Sequence, residues 1–145
     1  MKNVTLTFLF LAAIVLAACS KSVPGAAVAV IRVTVGNQPG TNADDLVTTA
    51  FTSFSFAQHA DEALGLAKQW GLPAKEANEK IRAAISVRKG GKPELFVVEA
   101  AGLDHDAAVK IVNELCNYYG STHPSISLNG GPAAAVHVSL VQAAK

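Results

Sequence analysis

The sequence predicts an α+β sandwich: a four-stranded antiparallel sheet with helices on one face. Three observations lead there. Two segments are continuously apolar and β-branched, two others alternate apolar with polar residues, and helical stretches separate them in the order β, helical region, β, β, α, β. With 145 residues, 50% of them hydrophobic and 16% charged, the chain suffices for one domain and is too apolar for disorder.

Each element has its own local reason. Val28-Ala-Val-Ile-Arg-Val-Thr-Val35 is nearly apolar on both faces, as a central strand is, and Gly36 to Asn42 breaks it with turn residues. Thr41 or Asn42 can cap a helical region opening with Asp44 and Asp45, whose charges suit the positive end of a helix dipole. That region runs to Trp70 with an interruption among Thr52 to Ser55, and Gly71 ends it. Pro73 sits where a new helix begins, with Ala74, Ala77 and Ile81 as its apolar stripe. Ile85 to Arg88 and Glu94 to Glu99 flank Lys89-Gly-Gly-Lys-Pro93, the composition of a hairpin turn.

Asp104 is an N-cap for a helix from His105 to about Tyr119, ended by Gly120. Ala108, Ile111, Val112, Leu115, Cys116 and Tyr119 share one face of it, so Cys116 reads as a small buried hydrophobe. Ser125 to Leu128 is a small extended segment, and Val136 to Val141 alternates like a half-buried strand. This order is the split β-α-β of a ferredoxin-like sandwich, with its strands arranged fourth, first, third, second. The two continuously apolar strands then take the centre, and the face away from the helices is left to solvent or to a partner.

The N-terminus carries a different signal. Met1-Lys2-Asn3 is a positive n-region, and Val4 to Ala18 is an uncharged apolar run, short for a transmembrane helix and ending in Leu16-Ala17-Ala18-Cys19. That tetrapeptide resembles the bacterial lipobox, in which Leu16, Ala17 and Ala18 are the recognition residues and Cys19 is the residue acylated. The expected organisation is a signal peptide over residues 1–18, a lipidated tether over 19–24 and a single α+β domain over 25–145. Without Lys2, the chain from Cys19 onward holds eleven of the twelve basic residues and all eleven acidic ones, so its net charge is zero. Two or three acyl chains would hold it to a bilayer almost irreversibly. Ser20 after the lipidated Cys favours the outer over the inner membrane of the bacterial envelope, with the domain facing the periplasm. Once Cys19 is acylated, Cys116 has no intramolecular disulfide partner.

Charge and motif exclude several classes. A formal charge of +1 gives no field to gather nucleic acid. None of His59, His105, His123 and His137 has metal-ligand spacing, and Asp104-His105-Asp106 reads as a helix cap with acidic neighbours. There is no GxSxG elbow, and Arg88-Lys-Gly-Gly-Lys92 lacks the P-loop pattern and reads as a solvated turn. Glu94 and Glu99, at odd separation on one strand, point to opposite faces, and Phe51, Phe54 and Phe56 read as core. No catalytic residue, metal or cofactor is therefore assigned. The candidate interaction surface is the edge strand, with His137, Ser139 and Val141 on its solvent side.

Together these segments resemble the membrane-proximal periplasmic domain of the chain-length-determinant family of polysaccharide co-polymerases. The resemblance rests on Val28-Ala-Val-Ile-Arg-Val, the helix from Phe51 ending in Gly71-Leu72, Ile85-Ser-Val and Glu94-Leu-Phe-Val-Val-Glu99. Its fullest stretch is Leu103-Asp-His-Asp-Ala-Ala-Val-Lys-Ile-Val-Asn113-Glu-Leu-Cys-Asn-Tyr-Tyr119. It implies the basal module alone, since only about 15 residues separate Gly120 from Val136, where that family has a long helical hairpin. The expectation is a non-enzymatic envelope lipoprotein that docks onto another envelope protein of a surface-polysaccharide system, with a second copy of the chain left open as a partner. The alternative is a small periplasmic enzyme or ligand-binding lipoprotein using the open sheet face.

Intact-mass measurement of the membrane-extracted protein is expected to show loss of residues 1–18 and gain of acyl mass, and Cys19→Ala is expected to abolish the gain. A mature chain starting elsewhere, without lipid, contradicts the reading.

Overall fold

The fold is organised around one strand that is buried on one side only. In β1, Ala27–Val35, the odd residues Ala27, Ala29, Ile31 and Val33 are buried, whereas Arg32 and Thr34 are exposed and Val28 and Val30 half-buried. A continuous apolar run thus resolves into a period of two, because helices cover a single face. The computed structural model describes residues 26–36, 43–122, 125–126 and 134–145. The expected lipobox and tether, and the Gly-Gly-Pro stretch before Ala134, lie outside them.

Four helices follow β1: α1 Asp44–Phe51, α2 Phe54–Leu64, α3 Leu66–Trp70 and α4 Ala74–Ala84. The hairpin strands β2 Ile85–Lys89 and β3 Leu95–Ala100 come next. The long helix α5 His105–Ser121, the two-residue β4 Ser125–Ile126 and β5 Ala134–Gln142 complete the chain. The sheet order is β2-β3-β1-β5-β4 with every pairing antiparallel. The four long strands neighbour one another as the sequence reading expects, in a mixed α+β fold consistent with a ferredoxin-like sandwich. The expected edge position of β5 needs one correction. β4 covers its first two residues, pairing Ser125 with Ala135 and Ile126 with Ala134.

The helical layer departs from the sequence reading in four places, each with a local cause. The expected caps Thr41 and Asn42 lie outside the described residues, and α1 starts from Ala43 with no side-chain cap. A second interruption falls at Gly65, whose φ of +66° suits a residue without Cβ, while the buried Asp61 carboxylate accepts the Ala67 N–H at 2.6 Å and so caps α3. α5 runs through Gly120 to Ser121, where the hydroxyls of Ser121 and Thr122 donate to the carbonyls of Tyr118 and Tyr119 at 2.8 and 2.9 Å. Phe51 and Phe56 are core, but Phe54, the first residue of α2, is 46% exposed. The expected interruption at Thr52 and Ser53, the stop at Gly71 and the Asp104 cap all form, the last through the Ala107 N–H at 3.3 Å.

The core lies between sheet and helices. α5 contributes Ala108, Ile111, Val112, Leu115, Cys116 and Tyr119, the face read from the sequence. Against it stand Ala29, Ile31, Phe96 and Val98 of the sheet and Val47, Phe51 and Phe56 of α1 and α2. Phe51 packs on Phe56 and Tyr119 at ring-centroid distances of 5.6 and 5.2 Å, tilted and edge-on, geometries that aromatic quadrupoles favour. The tail after β5 is held by one side chain: Asn113 donates to the Ala144 carbonyl at 3.3 Å and accepts its N–H at 2.7 Å. This amide pairing imitates a strand bridge and buries Ala144.

Burial pushes the Cys116 thiol up to about 12, so at pH 8 it holds almost no thiolate. Native protein is expected to resist alkylation at that pH and to react only on unfolding. Cys116→Ala is expected to cost about 1 kcal/mol in denaturant unfolding.

Candidate functional site

Main-chain direction decides what β5 offers a partner. The Gly36 N–H donates to the Ala135 carbonyl at 2.9 Å, so Ala135 faces β1. Successive residues of a strand alternate in direction, and the main-chain groups of His137 and Ser139 therefore also face β1, while those of Val136, Val138 and Leu140 point outward. The paired residues are Val35 with Val136, Thr34 with His137, Val33 with Val138 and Arg32 with Ser139. Beyond the two residues that meet β4, β5 pairs only with β1 among the described residues. No residue of Ala134–Gln142 is charged or a proline, the usual devices that blunt a sheet edge.

The side chains add a second feature. On the face away from the helices, Arg32 stands directly opposite Ser139, and Thr34 opposite His137. All four are exposed, and opposed Cβ atoms on such rungs lie about 4.5–5.5 Å apart. Of the residues singled out from the sequence, His137 and Ser139 therefore come together with Arg32 and Thr34. Val141 does not: the register passes from Ile31 opposite Leu140 to Val30 opposite Gln142, which makes Val141 the extra residue of a bulge. The bulge leaves Leu140 and Val141 side by side, 41% and 51% exposed.

The rest of this face differs. Val97 and Glu99 of β3 are buried, and Arg88 Nε approaches the Glu99 carboxylate at 4.0 Å. The face expected to be open as a whole is thus divided into a buried half around Val97 and Glu99 and an exposed polar half around Arg32 and His137. Among the described residues, ion pairs join Arg88 to Glu99, Lys89 to Asp44 and His59 to Glu114, and none of them involves Arg32.

The His59 cluster was not legible in the sequence, since its members lie 55 residues apart. Nε2 of His59 meets Oε1 of Glu114 at 2.8 Å, and the ring stacks on Tyr118 with centroids 3.7 Å apart and planes 11° off parallel. Both side chains are 31% exposed, and the cluster ties α2 to α5 across their outer surface. Among the described residues no group of three or more His, Cys, Asp or Glu side chains could hold a metal ion, and no helix is long and apolar enough to cross a membrane. Leu16, Ala17, Ala18 and Cys19 lie outside the described residues. Comparison with protein-family models, with curated proteins and with solved structures finds no match.

Main-chain direction along β5 gives a paired test. Ser139→Pro removes a donor that faces β1 and is expected to destabilise the fold by about 3 kcal/mol or more. Leu140→Pro removes an outward donor and is expected to cost less than about 1 kcal/mol, as proline on an edge does. Denaturant unfolding of the two variants checks the assignment, and the opposite ranking contradicts it.

Proposed function

We propose that this chain is a lipid-anchored protein of the bacterial envelope whose α+β domain is a non-catalytic docking module in surface-polysaccharide biosynthesis or export. The Leu16-Ala-Ala-Cys19 pattern supports the anchor, and the resemblance of the strand and helix segments supports the setting. The observation that carries the docking reading is the β5 edge beyond β4, where the outward main-chain groups of Val138 and Leu140 stand beside exposed Leu140 and Val141. An extended segment of an envelope protein can add to such an edge, with its main chain supplying affinity and its side chains specificity. A ligand-binding lipoprotein is the second reading, favoured by the exposed Arg32–Ser139 and Thr34–His137 rungs.

A photocrosslinking residue at exposed Val141 in intact cells is expected to capture one envelope protein, and Leu140→Pro is expected to abolish the capture while the protein stays folded. Absence of any protein adduct, together with loss of phenotype on His105→Ala or Asp106→Ala, would transfer the assignment to an enzyme or ligand-binding protein.

A further inference from the structure

Resting on the docking reading, we infer that the segment added to β5 is acidic, with an Asp or Glu placed opposite Ser139 and held by Arg32. Arg32 lies on β1, one strand in from β5, and its neighbour on the edge side is the small hydroxyl side chain of Ser139. Strands in a sheet are about 4.8 Å apart, so a strand added beyond β5 lies about two spacings from β1. A large side chain at 139 would block that path over the sheet. Serine leaves it open, and the long arginine side chain can meet a carboxylate reaching back from the added strand. The parity agrees. The main-chain groups of Ser139 face β1, so the partner residue opposite it occupies a non-hydrogen-bonded site, where side chains on one face come closest.

Charge points the same way. Arg32 is exposed and enters none of the ion pairs among the described residues. The carboxylate on its own face, Glu99, is buried two rungs away beside Arg88. The adjoining rung offers the Thr34 hydroxyl and the His137 ring and no negative group. An uncharged β5 beside a guanidinium that enters no ion pair among the described residues therefore accepts an acidic strand and disfavours a basic one. Arginine suits the role because its planar fork binds a carboxylate through two parallel hydrogen bonds.

The test uses the full lipidated chain in its own membranes, with the crosslinker at exposed Val141 so that Ser139 keeps its small side chain, and the adduct identified by mass spectrometry of the joined peptides. The inference predicts an Asp or Glu within three residues of the crosslinked position. It also predicts at least a tenfold loss of capture in Arg32→Glu, retention in Arg32→Lys, and recovery of the Arg32→Glu loss when that acidic residue is changed to Arg. Because Arg32 is exposed, unfolding midpoints of the variants should match the parent, which separates lost docking from lost folding. Capture that Arg32→Glu leaves unchanged, or an adduct peptide with no acidic residue there, overturns the inference while the docking reading stands. No adduct with the parent chain overturns both.

Discussion

A single layer of helices covers one face of the sheet, and most of this molecule follows from that asymmetry. β1 has apolar residues on both sides, yet only Ala27, Ala29, Ile31 and Val33 reach the core beneath α5. Burying a Val or Ile side chain contributes about 1.5–3 kcal/mol, whereas a slip of one residue would send Arg32 and Thr34 inward instead. The register of the central strand is thereby fixed. It fixes the neighbours too: Val98 and Phe96 face inward with it, and Val97 and Glu99 face the other way.

The edge proposed for docking follows from the same constraint. With β1 pinned, Ser139 must stand over Arg32 and His137 over Thr34, and β5 must turn the main-chain groups of Val136, Val138 and Leu140 outward. The bulge at Val141 then bends the end of the strand, and the Asn113 amide holds the tail beyond it. Lys89 meets Asp44 at 2.7 Å at the far end of β2, but an ion pair so exposed is worth at most about 1 kcal/mol and adds little to this framework.

The sequence makes the element order legible because each boundary carries its own chemistry: Gly71 and Pro73 between helices, Lys89 to Pro93 in the hairpin, Asp104 before α5. The buried face of α5, Cys116 included, follows from its 3.6-residue period. What escapes is whatever depends on a neighbour remote in the chain. Arg32 within an apolar run gives no hint that it stands opposite Ser139, because that requires the register between β1 and β5. The bulge that takes Val141 out of alternation has no residue signature, nor do the His59–Glu114 pair and the burial of Glu99. The break at Gly65 had a signal, a glycine four residues after Asp61, but the regular apolar positions Ala63, Leu64 and Ala67 read as one continuous helix.

Docking at the β5 edge is the central proposal. Hydrogen exchange at single-residue resolution, comparing the full chain purified in detergent with the same chain in its native membranes, tests this most directly. The amides of Val138 and Leu140 should exchange quickly in the purified protein and gain protection in the membranes, while those of His137 and Ser139 stay protected in both. Unchanged exchange along β5, with new protection on the α2–α5 surface around His59 and Glu114, would contradict it.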